Sequence, residues 1–364
     1  MRYYIREGSL IGTNASGEVG LSLDVPRYCP NPTSAIVHCL PTDIGLQLEH
    51  RLRLEREASM THVAYEVVDV FTTTRFGGNP LAVIPDARSL GDTLMQRIAA
   101  EFGYSETSFV LPPADPQHTA HVRIFTPTAE VPFAGHPNVG TAFVLARHGA
   151  AFGRPVGEQM CFEERAGLVG VTVLRGGGAV TGAAITAPRA LEVGQEVAVD
   201  LVAACASLAR EDVVVAVHPP RTVSVGLPFV VAELTSRAAL AQARPNLARF
   251  AEADTAVPLS DGGFSLFLYV PTPGAPQRFS ARMFAPLDAV PEDPATGSAA
   301  AALAAYRVAL MPKGDVDVAL TVEQGVDMGR PSQIRLQVHK AGGFVQKVVV
   351  GGDCVPVMRG ELSI

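Results

Sequence analysis

The chain has 364 residues, of which 48% are hydrophobic and 18% are charged, and its formal net charge is −7. This length corresponds to two domains of about 150 residues each, both large enough to bury a core. A nucleic-acid-binding surface needs clustered Lys and Arg, and no long basic run occurs, so the composition disfavours nucleic acid as a partner and favours small-molecule chemistry.

The location of the protein is predicted from what the sequence lacks. Its five cysteines contain no CxxC pair, which disfavours a zinc site and a disulfide framework and indicates a reducing cytoplasm. The first residues lack the apolar run of a signal peptide, and no run of about 18 apolar residues occurs, so no membrane association is expected. Residues 1–59 combine turn formers ("CPNPTS") with a charged stretch ("LEHRLRLERE"), and we interpret them as an N-terminal extension outside the core, of uncertain order.

The core pattern begins near residue 60. The stretch "AYEVVDVF" is rich in β-branched residues and predicts a strand, a Gly-Gly-Asn-Pro turn follows, and "LAVI" predicts the next strand. Apolar residues recur at helical spacing in "SLGDTLMQRIAAEFG", where Gly103 supplies a stop. A strand at "AHVRIFTP" is followed by a helix through "VGTAFVLARHG", with Pro137 in its first turn and Gly149 as its C-cap.

The second half of the chain repeats this pattern. Short strands are predicted at "VGVTVL", "GAAITA", "VVVAVH", "PFVVAEL" and "FSLFLYV", with a helix near "DLVAACASLA". The stretch "EDPATGSAAAALAAYRVAL" predicts a second apolar helix with Asp293 as its N-cap and Pro294 as its first residue. Strands at "QIRLQVHK", "FVQKVVVGG" and "CVPVMRGEL" follow.

The two apolar helices begin with related motifs, "FAGHPNVGTAFVL" at 133–145 and "EDPATGSAAAAL" at 292–303. A helix N-terminus presents unpaired N–H groups and the positive end of the helix dipole, which suits a carboxylate or phosphate. Gly135, Gly140 and Gly297 permit close backbone approach, and Thr141 and Ser298 add hydroxyl donors. One such motif alone would be explained by Pro and Gly starting a buried helix, but its recurrence predicts an anion pocket formed by two helix starts.

Three residues are candidates for acid–base chemistry. His136 and Asp293 directly precede the proline of each motif, where backbone dipoles tune proton affinity. Both also have structural explanations, since Asp is a favoured N-cap and His can be a hydrogen-bonded core residue. Glu106 in "YSETSFVL" lies in an otherwise apolar, hydroxyl-rich turn, and burial there would raise its pKa toward the range useful to a general acid or base.

Other kinds of site are poorly supported. His118 and His121 have no partnering carboxylate or Cys motif, so no metal is expected. No GxGxxG precedes a helix, no P-loop lysine occurs and no GxSxG elbow is present, so neither a nicotinamide cofactor, nor ATP, nor a serine hydrolase is indicated.

Four motifs resemble the phenazine-biosynthesis isomerase (PhzF-like) family: "VVDVFTTTRFGGNPLAVI", "YSETSFVL", "RIFTPTAEVPFAGHPNVGTA" and "FAPLDAVPEDPATGSAA". They occur in the family's order, and the likeness covers about residues 62–364. The family is similar in fold to diaminopimelate epimerase, an α+β fold of two pseudo-symmetric domains, each a curved, mostly antiparallel sheet around a central helix. The resemblance therefore implies a first domain at 60–177 with about 349–364, and a second at 178–348.

The resemblance also implies a mechanism. Diaminopimelate epimerase has a thiol at the start of each central helix, whereas this sequence has "AGHP" and "EDPA" there, which disfavours a two-thiol racemase. The implied activity is a cofactor-independent isomerase that moves a proton within a small amino or hydroxy carboxylic acid, as in trans-2,3-dihydro-3-hydroxyanthranilate isomerase. Glu106 would carry the proton, Asp293 would bind the substrate amine and His136 would orient the substrate. The pocket would be lined by Ser105, Gly135, Gly297 and Ser298.

The residues leave two alternatives open. One is an epimerase or racemase that uses Glu106 and Asp293 as its two bases, and the other is a non-catalytic homologue that binds a small molecule. The presence of Glu106, His136 and Asp293 together favours an enzyme, because a binding protein has no need of a buried acid–base set. Family likeness further suggests a homodimer.

Overall fold

A computed structural model describes the backbone of residues 2–6, 9–13 and 19–24, and the chain at 62–260, 262–312 and 314–364. The chain divides into two compact units, Met1–His62 with Ser363–Ile364, and Val63–Leu362. In the first unit, three strands form an antiparallel sheet: β1 (Arg2–Arg6), β2 (Ser9–Thr13) and β3 (Val19–Asp24). The stretches "CPNPTS" and "LEHRLRLERE" lie outside the described residues.

The larger unit contains the remaining strands. Those of the first half are β4 (His62–Val70), β5 (Asn79–Ile84), β6 (Thr107–Leu111), β7 (Ala120–Phe125), β8 (Glu130–Val131), β9 (Ala150–Ala151), β10 (Arg154–Pro155), β11 (Gln159–Glu164), β12 (Gly167–Gly176) and β13 (Ala179–Thr186). Those of the second half are β14 (Glu192–Glu196), β15 (Val213–Val214), β16 (Arg221–Ser224), β17 (Pro228–Leu234), β18 (Leu266–Thr272), β19 (Ala275–Ala285), β20 (Val290–Asp293), β21 (Val316–Gln324), β22 (Ser332–Ala341) and β23 (Phe344–Ser363).

The helices of this unit are fewer. They are α1 (Asp92–Phe102), α2 (Gly135–His148), α3 (Val199–Ala206), α4 (Arg237–Gln242), α5 (Leu247–Ala256) and α6 (Gly297–Ala309). Three short 3₁₀ turns occur at Arg210–Asp212, Pro286–Asp288 and Val326–Met328. No helix of the described residues is long and apolar enough to cross a membrane.

The strand pairings repeat along the chain. In the first half, β4–β5 is antiparallel, β5–β6 parallel, β6–β7 antiparallel, β7–β11 parallel, and β11–β12 and β12–β13 antiparallel. The second half has the same order in β16–β17, β17–β18, β18–β19, β19–β21, β21–β22 and β22–β23. Each parallel pair is joined through a helix, as parallel strands require. The pairings confirm an internal duplication in a mostly antiparallel α+β fold; the domain boundaries proposed above stay a prediction.

The helices α2 and α6 occupy the same place in the two repeats. Helix α2 lies in the connection between the parallel strands β7 and β11, and α6 lies in the connection between the parallel strands β19 and β21. All residues from 135 to 146 of α2 are buried, and α6 is buried along most of its length. A helix that is apolar on most sides must be covered by other elements, and both helices contribute to one apolar core with the strands around them. The C-caps of α1 and α2 are Gly103 (φ 62°) and Gly149 (φ 72°), as predicted, because glycine takes the left-handed conformation without steric cost.

Several sequence predictions are corrected by the structure. The start of α6 is Gly297, and its N-cap is Thr296; Asp293 ends β20 instead of capping the helix. The strand predicted at "VVVAVH" is only the two-residue β15, and the last two predicted strands are one continuous β23. The helices α4 and α5 were not predicted.

The packing of α2 against the sheet depends on Gly140. A Cβ atom at this position would lie 2.5 Å from Leu81 Cδ2 and 2.8 Å from Val70 Cγ2, both in the core. We predict that Gly140→Val lowers the free energy of unfolding by about 1 to 3 kcal/mol, because the core is already close-packed. Gly170→Val is the matched control, since Gly170 is exposed on β12 with open space around its Cα. Urea unfolding measures both, and equal stabilities would contradict this packing.

Candidate active site

The turn before β5 places Asn79 in the site. Arg330 Nη2 lies 2.6 Å from Asp69 Oδ1 and donates to the backbone oxygen of Gly77 at 2.9 Å, while Arg330 Nε donates to that of Gly78 at 2.9 Å. Gly78 has φ 60°, and a Cβ there would collide with the backbone oxygen of Val70. The Gly-Gly-Asn-Pro turn thus depends on glycine and on the Asp69–Arg330 ion pair.

The carboxylate of Asp293 lies at the end of β20 and is 5% exposed. Its Oδ1 accepts hydrogen bonds from Asn79 Nδ2 at 2.8 Å and Ser105 Oγ at 2.9 Å, and its Oδ2 accepts one from Thr296 Oγ1 at 2.5 Å. Burial is the largest influence on Asp293 and raises its pKa above the ordinary value, while the hydrogen bonds from Thr296, Ser105 and Asn79 oppose this shift. Three donors to one carboxyl group favour the ionised form and so offset part of the cost of burial.

The backbone after Asp293 is held by Gln324, a buried residue at the end of β21. Gln324 Nε2 donates to the backbone oxygen of Asp293 at 2.7 Å and to Thr296 Oγ1 at 3.0 Å, and its Oε1 accepts from the backbone N–H of Thr296 at 3.1 Å. This side chain therefore fixes the entry into α6.

Glu106 directly precedes β6, and its Oε2 lies 3.7 Å from His136 Nε2, in the first turn of α2. Both atoms are inaccessible to solvent and have no hydrogen-bond partner within the described part of the chain. Burial raises the pKa of Glu106 well above its ordinary value, and the negative charge of Asp293 raises it further. Burial lowers the pKa of His136 to about 3, so the imidazole is neutral. A carboxyl group with a raised pKa and a neutral imidazole thus face each other at a distance too long for a direct hydrogen bond.

The starts of α2 and α6 face each other. A Cβ atom on Gly135 would lie 3.2 Å from the backbone nitrogen of Ser298 and 3.4 Å from the carbonyl carbon of Gly297. A small, mostly apolar cavity lies here, lined by Gly135, Gly297 and Ser298 and by apolar side chains that include Phe133, Ile185, Val225 and Val350. Helix N-termini beside an apolar wall suit a small carboxylic acid.

The structure therefore brings all the predicted site residues into one region. Glu106, His136, Asp293 and Ser105 form a buried polar cluster, and Gly135, Gly297 and Ser298 line the adjoining pocket. Sequence analysis missed Asn79 and Gln324. Asn79 lies within the Gly-Gly-Asn-Pro turn, where it was interpreted only as a turn former; Gln324 had no signal, since it is one polar residue in a strand.

Comparisons with known proteins support the resemblance to the PhzF-like family. The fold is that of a crystal structure of a Bacillus anthracis phenazine biosynthesis protein of the PhzF family, with a TM-score of 0.74 at 24% identity over 84% of this chain and 100% of that one. A family model described as phenazine biosynthesis-like protein matches residues 68–360. The chain belongs to this PhzC–PhzF family.

Two relatives are similar over nearly their whole length. A protein of Mesorhizobium japonicum named as an uncharacterized isomerase is 38% identical over 306 residues, which are 82% of this chain and 98% of that protein. Trans-2,3-dihydro-3-hydroxyanthranilate isomerase of Pseudomonas chlororaphis is 33% identical over 303 residues, 82% of this chain and 99% of that enzyme. These likenesses confirm the prediction that the chain is an isomerase.

The protonated state of Glu106 has a consequence for stability. In the unfolded chain Glu106 ionises near its ordinary pKa of about 4.3, whereas the folded protein keeps it protonated to higher pH. Glu106 therefore makes its full contribution to the free energy of unfolding below the pKa of the unfolded chain. This contribution is lost as the pH rises through the raised pKa of the folded protein, by about 1.4 kcal/mol per pH unit.

We predict that Glu106→Gln, which cannot ionise, becomes progressively more stable than the parent as pH rises through this window. Urea unfolding at a series of pH values measures the difference. Glu101→Gln, at an exposed position of α1, is the control and should follow the parent at every pH. Parallel pH profiles for Glu106→Gln and the parent would mean that Glu106 is ionised in the folded protein.

Proposed function

We propose that the protein isomerises a small amino or hydroxy carboxylic acid by moving a proton between two of its carbons, with Glu106 as the proton carrier. The observation that carries the proposal is Glu106 itself, a buried carboxyl group with a raised pKa and an unpartnered oxygen 3.7 Å from a neutral His136. A general acid or base works best when its pKa lies near the working pH, and burial shifts that of Glu106 in this direction.

The facing helix starts would hold the substrate carboxylate. N–H groups at the starts of α2 and α6, with the Ser298 hydroxyl, would donate to its oxygens, and the apolar side chains of the pocket would cover the carbon skeleton. The Pseudomonas chlororaphis relative makes trans-2,3-dihydro-3-hydroxyanthranilate the first compound to test. Its amine would meet Asp293, whose carboxylate offers about four lone-pair sites, of which the protein uses three.

This hydrogen bonding weighs against the epimerase alternative. A second base needs a free lone pair to take a proton, but three of the about four lone-pair sites of Asp293 already accept hydrogen bonds, and the proposed contact with the substrate amine would occupy the fourth. A non-catalytic binding protein would have no use for the buried acid of Glu106, since an unpartnered buried carboxyl destabilises the fold. Independence of metals and organic cofactors and a homodimeric assembly are further proposals that rest on the family resemblance, and a cytoplasmic location is a proposal that rests on the cysteine pattern.

We predict that Glu106→Gln abolishes both isomerisation and the incorporation of solvent deuterium into the substrate, with a loss of at least about 10²-fold in kcat, because Gln cannot exchange a proton. NMR and mass spectrometry in heavy water, first with trans-2,3-dihydro-3-hydroxyanthranilate and then with other small carboxylic acids, measure both. Glu101→Gln should retain full activity. Turnover by folded Glu106→Gln would defeat the assignment, and inversion at a single carbon, seen by chiral chromatography, would favour the epimerase.

The carboxylate pocket makes a separate prediction. Gly135→Ala places a methyl group against the backbone of residues 297 and 298, so the two helix starts must separate. We expect KM to rise by about tenfold or more, because the substrate carboxylate would lose roughly one charge-assisted hydrogen bond. Gly170→Ala, in open space on β12, should leave KM unchanged. An unaltered KM in Gly135→Ala would place the carboxylate elsewhere.

A further inference from the structure

Asn79 is the least expected member of the site, because it is completely buried and contacts both acid–base motifs. Its Nδ2 lies 2.8 Å from Asp293 Oδ1, 3.0 Å from the backbone oxygen of Ala295 and 3.3 Å from His136 Nδ1. A backbone oxygen only accepts hydrogen bonds, so the atom facing Ala295 must be the amide nitrogen of Asn79. This contact fixes which way the amide points.

The orientation of Asn79 determines the protonation of His136. Asn79 Nδ2 has two hydrogens for three acceptors, so its longest contact, 3.3 Å to His136 Nδ1, shares a hydrogen with a shorter one. An amide NH₂ group only donates, so a proton on His136 Nδ1 would point at these hydrogens, and we infer that Nδ1 is unprotonated. A neutral imidazole has a single N–H, which must then be on Nε2. Nε2 is the atom that faces Glu106 Oε2 at 3.7 Å.

We propose that Asn79 is a positioning residue that holds His136 in its Nε2–H tautomer with this N–H directed into the gap beside Glu106. In the reaction proposed above, on which this role rests, a substrate atom placed beside the His136–Glu106 pair accepts a hydrogen bond from His136 while Glu106 moves the proton. His136 is then a fixed donor and not a second acid or base. The same amide orients Asp293, so one buried side chain aligns two groups of the site.

The carboxyl groups around the imidazole are consistent with a neutral donor. Those of Glu106 and Asp293 face this region, from the turn before β6 and from the end of β20. Asp293 accepts hydrogen bonds from Asn79, Ser105 and Thr296, and Glu106 lies 3.7 Å from the imidazole with its pKa raised by burial. Neither group forms the close ion pair that would charge His136. A preorganised neutral donor stabilises negative charge that develops on a substrate oxygen in the transition state.

The tautomer can be measured directly in the parent protein without substrate. Long-range ¹H–¹⁵N correlation spectra of histidine-labelled protein distinguish a protonated ring nitrogen from an unprotonated one, and the signals of His136 are those lost in His136→Gln. We expect Nε2 protonated and Nδ1 unprotonated across neutral pH. Protonation at Nδ1 in the parent protein would overturn the proposal by itself.

Two variants test the role of Asn79. Asn79→Ala removes the amide without adding charge and should give a mixture of His136 tautomers, with kcat reduced about 10- to 10²-fold. Gln324→Ala is the matched control, since Gln324 is an equally buried amide that holds the same segment around Asp293 and Thr296, and its recorded hydrogen bonds do not involve His136. It should retain the parent tautomer.

The outcomes separate this inference from the proposed function. A retained Nε2–H tautomer in Asn79→Ala, an equal change in Gln324→Ala, or an unaltered kcat despite a lost tautomer would each overturn the role of Asn79. Turnover by Glu106→Gln alongside the expected spectra would instead refute the proton carrier while leaving the His136 tautomer established.

Discussion

The buried carboxylate of Asp293 is the interaction on which the rest of the site depends. A carboxylate removed from water is costly unless hydrogen bonds replace its hydration. Here the donors come from both repeats: Asn79 and Ser105 from the turns before β5 and β6, and Thr296 from the entry into α6. Satisfying this one group therefore fixes two turns of the first repeat against the second central helix.

Burial shifts the neighbouring groups. It raises the pKa of Glu106, which the negative charge of Asp293 raises further, and it lowers the pKa of His136 to about 3. The site thus combines a hydrogen-bonded carboxyl group, a carboxyl group with a raised pKa and a neutral imidazole. A substrate carboxylate would bind at the helix starts, where the fold provides partial positive charge from backbone N–H groups. Glycine at position 135 permits those two starts to meet, and glycine at position 297 leaves room for the ring of Phe71.

Sequence reasoning identified the chemistry better than the geometry. Glu106 was recognisable because a carboxyl group stood in an apolar turn, and His136 and Asp293 because two motifs matched. Asp293 was nevertheless misplaced as an N-cap, since Asp followed by Pro favours a helix start locally. In the structure its donors from other elements keep it at the end of β20, and the helix begins four residues later. Asn79 was overlooked because a single sequence does not distinguish an asparagine that forms a turn from one whose buried side chain donates hydrogen bonds.

The sequence alone determined the α+β character, the duplication, the central helices and the family, because these depend on local periodicity, glycine and proline positions, and contiguous motifs. Only the tertiary structure decided which groups meet. The contacts of Asn79 with Asp293, of Glu106 with His136, and of Gly135 with Ser298 join residues far apart in the chain. Whether a carboxyl is ionised or a histidine is neutral follows from burial and from such contacts, and therefore from the folded packing.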